Sequence, residues 1–402
     1  RGPAFFADAD AACKVKTAAA RLEEGLAVSL GEIGQADLIL VAGADPVNEA
    51  PMLALTLRQA VQKGAGVAVL DPRPVSLPFG FTHVPTAPGA LGAVLGRILK
   101  KSVGPAGLEG PAARFRASLP DSPATGAEVL DRTAEMLAAS RRPVIVCGTD
   151  IVAPGLVDLA ADAALLLAAA QKKAGLFYIL PGANAFAAGL LAPSDGTTDR
   201  ILEAVVDGGV KALVLVENDP FAVFPHRKLL ERALSKTESL IVLDYLDTPL
   251  SRRAHVFLPT QTLFESGGVF INQEGRAQYS AAAFAGGTPV LETGGGDHPP
   301  RVYGTGLPGA DPQPAGHIMA LLAGDAIPAE MKRRQNDCYR SNPQLADLAT
   351  VTAFPEEGMR LASKNPSKDR FHSDLSSPAA ADPNELEIIL AERTFGTQYL
   401  ST

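Results

Sequence analysis

LILVAGADPVNEAP at residues 38–51 and ALVLVENDPFAVFP at 212–225 are two copies of one unit. Asp45–Pro46 matches Asp219–Pro220, and a second proline follows at the same distance in each, Pro51 and Pro225. Each copy then crosses a helix-like stretch to a second apolar run ending in Leu-Asp: GVAVLDPRP at 66–74 and SLIVLDYLDT at 239–248. A strand, a tight loop opening a helix, and an acid at the tip of the next strand is the layout of a nucleotide half-site.

Outward from the repeat, short Val/Ile/Leu runs alternate with longer helical patterns. Strands are expected at 37–42, 66–70, 143–147, 176–180, 211–216 and 239–243. Their continuous apolar character predicts parallel strands buried on both faces. Helices are expected at 51–63, which opens on Pro51 and stops at Gly64, and at 124–140 and 155–173. The fold class implied is α/β, with two doubly wound αβα domains related by the repeat and an extended Pro/Gly-rich C-terminal arm. A Gly/Pro-rich stretch over 100–125 predicts the domain break, giving a first αβα domain at 1–110, a second at 111–285 and the arm and tail at 286–402. Within the tail, a short helix is expected at 316–323, polar and poorly patterned sequence at 324–384, and a strand-like start to ELEIILAERTFGTQYLST.

Composition removes several function classes. The net charge of −8, without a basic stripe, argues against nucleic acid. Cys13, Cys147 and Cys338 lie far apart with no C-x-x-C, so no local zinc or iron–sulfur motif is present and a reducing compartment is expected. The most apolar helical stretch, AALLLAAA at 163–170, is far shorter than the roughly 20 residues a membrane crossing needs. RGPAFFADAD does not have the form of a signal peptide, and the start without Met reads as a piece of a longer protein.

In the first half-site, Gly43-Ala44-Asp45 follows the strand, and the glycine allows backbone to approach a phosphate. Asp71 is the candidate for a ribose hydroxyl or a guanine edge, with Arg73 near a phosphate. A Gly and an Asp-Pro also punctuate strand-to-helix turns that hold no ligand, and spacing alone leaves both readings open. In the second half-site, Val216-Glu217-Asn218-Asp219 has no glycine at the strand end, and Glu217 and Asp219, with Asp244 downstream, add negative charge that disfavours an anion. A third block, AHVFLPTQTLFESGGVFINQEGRAQ at 254–278, carries Glu265, Gly267, Gly268, Asn272, Glu274 and Arg276, whose composition reads as a polar network bracing a loop. Cys147, finishing VIVC, reads as a small apolar residue ending a buried strand.

This third block resembles the signature of the molybdopterin oxidoreductase superfamily, and residues 36–74 resemble that superfamily's first nucleotide half-site. The resemblance covers roughly residues 30–285. It implies two αβα domains that hold the guanine dinucleotide arms of a pterin cofactor, and it maps Gly43, Ala44, Asp45, Asp71, Arg73, Glu217, Asn218, Asp244, Glu265, Gly268, Asn272 and Glu274 onto a working or vestigial pterin-nucleotide site. Glu217-Asn218-Asp219 and the closing RTFGTQYLST look most like the C-terminal region of the large (75-kDa type) iron–sulfur subunit of respiratory complex I, the NADH:quinone oxidoreductase. That branch implies a structural region without metal, pterin or catalytic residues, with iron–sulfur clusters only in upstream or partner domains. It also implies other peripheral-arm subunits as partners and a place on the cytoplasmic side of the bacterial inner membrane, without a span of its own. The alternative implied by the superfamily is a fragment of a catalytic, molybdopterin guanine dinucleotide-dependent oxidoreductase such as a formate dehydrogenase-like subunit.

Overall fold

A computed structural model describes residues 2–121, 128–283, 312–324, 328–361 and 371–372. The chain divides into two compact units. The larger is formed by Ala9–Leu191 and Ile271–Arg276 with the described residues from Arg360 onward. The smaller takes residues up to Asp8, Ala192–Phe270 and Ala277–Met359.

The larger unit is built on β1 (Leu38–Ala42), β2 (Gly66–Asp71), β3 (Thr82–Pro85), β4 (Pro143–Cys147) and β5 (Gly175–Tyr178). All pair in parallel, in the order β3-β2-β1-β4-β5. This is the doubly wound order, in which the direction of winding reverses between β1 and β4. Every residue of β1 and of β4 is buried, as the continuous apolar runs require. On one face, Ile39, Val41, Val67, Val69, Val144 and Val146 pack with Leu53, Leu57 and Ala60 of the helix Pro51–Gln62. Those three recur at the helical period, so one stripe of that helix meets the sheet, and each buried leucine contributes about 1.5–3 kcal/mol. Gly64, at φ +98°, ends the helix in a conformation that other residues rarely adopt. Helices Leu91–Ser102, Glu128–Ala139 and Pro154–Ala169 bury Leu91, Leu95, Leu99, Leu137, Leu159 and Leu166 within the same unit.

Among the described residues the smaller unit repeats the first three strands. Its sheet is β6 (Ala212–Val216), β7 (Ser239–Asp244) and β8 (Val256–Pro259), parallel, in the order β6-β7-β8. Leu213, Leu240 and Val242 pack with Leu202 and Val205 of the helix Thr198–Val206 and with Leu230 and Ala233 of Arg227–Lys236. A further three-stranded sheet comprises β9 (Gly268–Ile271), β10 (Arg276–Ser280) and β11 (Met359–Arg360).

Three expectations change. The boundary expected near 110 falls inside the larger unit, because β4 and β5 extend the first sheet instead of starting a second. A Gly/Pro-rich stretch there punctuates a long crossover, and the smaller unit takes up the chain again at Ala192. The second sheet is not buried on both faces: Ala212, Val214 and Val216 are exposed on one face of β6, an edge strand among the described residues, while Leu213 on the other face is buried. The region 324–384, which showed no pattern, contains the helix Pro328–Arg340, and the short helix expected at 316–323 is Ala315–Leu322. The Pro/Gly-rich stretch at 284–311 and the strand-like tail from 373 lie outside the described residues.

Candidate functional site

The loop after β1 is where the first half-site forms. Gly43 adopts φ +64° and donates its N–H to Leu70 O at 2.8 Å. Its Cα faces Val152 so closely that a Cβ there would lie 2.2 Å from Val152 Cγ1. After β4, Gly148 is equally constrained, since a Cβ would lie 2.2 Å from Gly43 O. The loops leaving β1 and β4 therefore touch backbone to backbone at the point where winding reverses. That crevice is where open α/β sheets bind their ligands. Here Gly43 and Gly148 meet at its base and Val152 packs against Gly43.

Asp45 is the N-cap of the turn Pro46–Glu49. Its Oδ1 accepts from the N–H groups of Val47 (3.1 Å) and Asn48 (3.4 Å), and its Oδ2 from Asn48 Nδ2 at 2.6 Å. The free amides that can attract an anion are thus met by the chain's own carboxylate. Asp71, fully buried at the tip of β2, receives Arg73 Nε on Oδ1 and an Arg73 terminal nitrogen on Oδ2, each at 2.8 Å. The same terminal nitrogen, Nη2, also donates to Glu49 Oε1 at 2.7 Å, and Glu49 Oε1 accepts from Asp45 N at 2.8 Å. Burial pushes the Glu49 carboxyl up to about 7, against the opposing pull of the Asp45 N–H and Arg73, with Asp150 adding to the rise. Arg73, held between two carboxylates, is pushed further up from an already high value despite its partial burial. Glu49 was not among the residues singled out from sequence. Its position four residues after Asp45, on the same turn, is the signal that finds it.

The second half-site keeps the backbone of the first and changes the side chains. Asp45 has φ −101°, ψ 100°, and Asp219 has φ −101°, ψ 102°. Gly43 N–H to Leu70 O is matched by Glu217 N–H to Leu243 O at 2.7 Å. Asp219 Oδ1 accepts from Phe221 N at 2.8 Å, as Asp45 does from Val47. The repeat also runs one strand further than the matched motifs display: β3 leads to Thr86 and β8 to Thr260, whose N–H groups donate to Asp71 O (3.3 Å) and Asp244 O (3.0 Å). The residue in the glycine position is therefore Glu217, at φ +48°, and not Val216. A non-glycine residue in that region carries backbone strain. Burial raises the Glu217 carboxyl, opposed by the Thr260 hydroxyl and reinforced by Asp244. Asp244 Oδ1 accepts from Tyr245 N (2.7 Å) and Leu246 N (3.0 Å). Leu246 stands where the first copy has Arg73, and Val223 where it has Glu49. Asn218, in the position of Ala44, is exposed, whereas Ala44 is buried.

In the third block, Glu265 closes a capping box, accepting from Thr262 N and Oγ1, both at 2.8 Å. A Cβ on Gly268 would make an ordinary contact with Phe270 Cε2 at 3.8 Å, while Gly267, at φ +61°, lies against the backbone of Ser280. Asn272 Oδ1 accepts from Glu274 N (3.1 Å) and Arg276 N (3.0 Å). Buried Glu274 pairs with Arg276 at 3.2 Å and Arg360 at 3.2 Å, and Arg360 donates to Ala27 O at 3.1 Å. These bonds hold a turn together.

Cys147 is fully buried, donates to Gly148 O at 3.2 Å, and burial pushes its thiol up to about 12. Cys13 and Cys338 are exposed. Among the described residues no group of three or more His, Cys, Asp or Glu is arranged to hold a metal ion, and no helix is long and apolar enough to cross a membrane.

Comparison with known proteins places these features in a lineage. The G subunit of NADH-quinone oxidoreductase from Pseudomonas putida is 37% identical over 147 residues, which is 37% of this chain and 16% of that one. The corresponding G subunit from Shewanella oneidensis is 28% identical over 277 residues, 62% of this chain and 29% of the relative. The alpha subunit of NADPH-Fe(3+) oxidoreductase from Geobacter sulfurreducens is 30% identical over 312 residues, covering 65% and 37%. The chain thus spans well under half the length of these relatives. Among solved structures, acetylene hydratase from Pelobacter acetylenicus aligns with a TM-score of 0.47 at 14% identity, over 69% of this chain and 48% of that one. The family model described as molybdopterin oxidoreductase matches residues 6–287, and the chain belongs to that family.

Proposed function

We propose that this chain is a structural region of a peripheral-arm subunit of an NADH:quinone oxidoreductase, bracing neighbouring electron-carrying domains without an active site of its own. The observation that carries the reading is the closed ion cluster of Asp45, Glu49, Asp71 and Arg73. The family's pterin dinucleotide is anionic and needs donors at the strand tips. In the first half-site the Arg73 guanidinium is committed to two carboxylates, and the helix start is capped by a third. In the second, Glu217, Asp219 and Asp244 present acid with no guanidinium in the position of Arg73. A phosphate at either tip meets repulsion of several kcal/mol at short range in a partly buried setting. On this reading the residues present do not fit the anionic cofactor.

The relatives named as G subunits of NADH-quinone oxidoreductase support the assignment to a respiratory peripheral arm. In this reading the partners are other peripheral-arm subunits, and iron–sulfur clusters lie in those partners or in other parts of the same subunit. The location is then the cytoplasmic face of the bacterial inner membrane. The test is metal and pterin analysis of the chain within its native assembly, by inductively coupled plasma mass spectrometry for Mo and W and by fluorescence of oxidised pterin. Background levels of all three are expected. Stoichiometric Mo or W together with pterin overturns the proposal in favour of a catalytic, molybdopterin guanine dinucleotide-dependent subunit.

A further inference from the structure

The acid at the second strand's tip holds the same pose in both copies of the repeat. Asp71 Oδ1 accepts from Arg73 N at 2.9 Å, and Asp244 Oδ1 accepts from Leu246 N at 3.0 Å. Both carboxylates are buried. In the first copy a guanidinium completes the site: Arg73 Nε meets Oδ1 and Nη2 meets Oδ2, each at 2.8 Å. In the second copy that position is Leu246, exposed and without a polar atom in its side chain. Among the described residues no Lys, Arg or His pairs with Asp244. The ion pairs of this region are Lys211–Glu238, Arg252–Asp247 and Arg253–Glu231.

Two more side chains carry oxygen to this tip, and the first copy has neither in the same state. Glu217 reaches solvent and takes the place of Gly43. Partial burial and then Asp244 raise its carboxyl, so the two acids lie within each other's field. The Tyr245 phenol is raised in turn by partial burial, by Asp244 and by Glu217. Thr260, only 3% exposed, follows β8 as Thr86 follows β3. Thr86 Oγ1 donates to Val84 O at 2.9 Å, whereas Thr260 Oγ1 meets no partner in hydrogen-bonding geometry among the described residues. The Thr260 hydroxyl faces the Glu217 carboxyl closely enough to favour its charged form. A buried hydroxyl left unpaired is costly, and here it marks a place where a donor is missing.

The chemistry of these oxygens narrows the ligand. An anion is repelled by the two carboxylates. An apolar group strands the Thr260 hydroxyl and the Asp244 charge. A calcium ion takes about six to eight oxygens, more than two carboxylates and a hydroxyl supply. A guanidinium fits: it is planar, weakly hydrated, rich in N–H donors without an acceptor, and pairs with a carboxylate through two parallel bonds. The first copy holds one on the matching acid. We infer that the tip of the second half-site is an open guanidinium-binding subsite, in which Asp244 Oδ2, the Glu217 carboxylate and Thr260 Oγ1 accept the ligand's N–H groups. The guanidinium arrives on a small molecule or on an arginine side chain. The inference concerns the second copy alone and holds whether or not the first half-site binds a nucleotide.

The test titrates agmatine into the full chain, alone and in its native assembly, and follows binding by saturation-transfer NMR. The isolated chain is expected to bind it, and Glu217→Gln and Asp244→Asn each weaken binding at least about tenfold. Asp244 is buried, so if its variant fails to fold by circular dichroism the exposed Glu217→Gln decides. Leu246→Arg places a guanidinium in the subsite from the chain itself, and is expected to abolish agmatine binding while raising the thermal midpoint. Binding by both chain and assembly identifies the ligand as a free molecule. Binding by the isolated chain alone identifies it as an arginine side chain that the assembly supplies. No binding by the isolated chain overturns the inference, as does binding that Glu217→Gln or Leu246→Arg leaves intact. Displacement of agmatine by guanosine monophosphate, or by calcium or magnesium at equal concentration, overturns it too.

Discussion

Replacing Arg73 by Met removes the one cation of the first half-site while keeping a side chain of similar length. Three charge-assisted bonds at 2.7–2.8 Å vanish together. The groups left behind decide the cost. Asp71 is fully buried and keeps only the backbone N–H of Arg73's position, at 2.9 Å, so its charge is stranded. Glu49 already sits near neutrality and escapes by taking a proton. The loss is therefore that of one buried pair broken on one side, about 3–5 kcal/mol. For a unit of this size each kcal/mol lowers the midpoint by about 2–4 °C, so a fall of roughly 6–20 °C is expected in differential scanning calorimetry. Adding Asp71→Asn removes the stranded charge and is expected to recover more than half of the loss, because replacing both partners of a buried pair is far milder than removing one. If Arg73→Met shifts the midpoint by less than about 2 °C, the cluster is not a structural brace and the case against an anionic ligand loses its basis.

Glu49→Gln tests the same cluster through pH. The folded carboxyl sits near 7 and an ordinary one at 4.5, so between those values the native state holds a proton that the unfolded chain releases. The contribution of Glu49 to stability is thus fully present below pH 4.5 and is lost as pH rises through 7. Relative to the Gln variant the drift across that window is about 3 kcal/mol, read from urea midpoints, and parallel curves for the two proteins refute it. Glu217→Gly restores the residue that the first copy has at this position and is expected to stabilise the smaller unit by about 1 kcal/mol, since it relieves the left-handed backbone. A destabilisation of that size in chemical unfolding counts against the equivalence of Glu217 and Gly43. Cys147, buried with its thiol near 12, is expected to stay unreactive to a thiol reagent in the native chain while Cys13 and Cys338 react; three thiols modified at equal rates contradict the packing.

The first sheet was legible because apolar runs without alternation have one reading, and β1, β2, β4 and β5 fall within a residue or two of their expected places. β3 escaped notice because THVP is short, half polar and ends on proline, and only its match to VFLP across the repeat identifies it. The unit boundary was not legible, since nothing local in VIVC says that it pairs with Leu38–Ala42 and not with its neighbours in sequence. Of the candidate site, Asp71 and Arg73 were visible as residues but not as partners. Sequence spacing marked them as ligand-facing, whereas the fold turns them toward each other. That Glu217 stands opposite Gly43 follows from counting two residues back from the matched Asp45 and Asp219, but its positive φ leaves no trace in a sequence when the residue is not glycine.

The pairing of β1 with β4 also has a kinetic side. Leu38 meets Pro143 only after about a hundred intervening residues have been brought to order, whereas β1 to β2 and β6 to β7 close through single short crossovers. The three-strand block is thus expected to form first in both copies, with β4 and β5 joining the larger unit later, an order that pulse-labelled hydrogen exchange checks. Among the described residues β6 is an edge strand. As the chain emerges, such an edge offers unpaired backbone from the moment it forms, which is where misassociation starts.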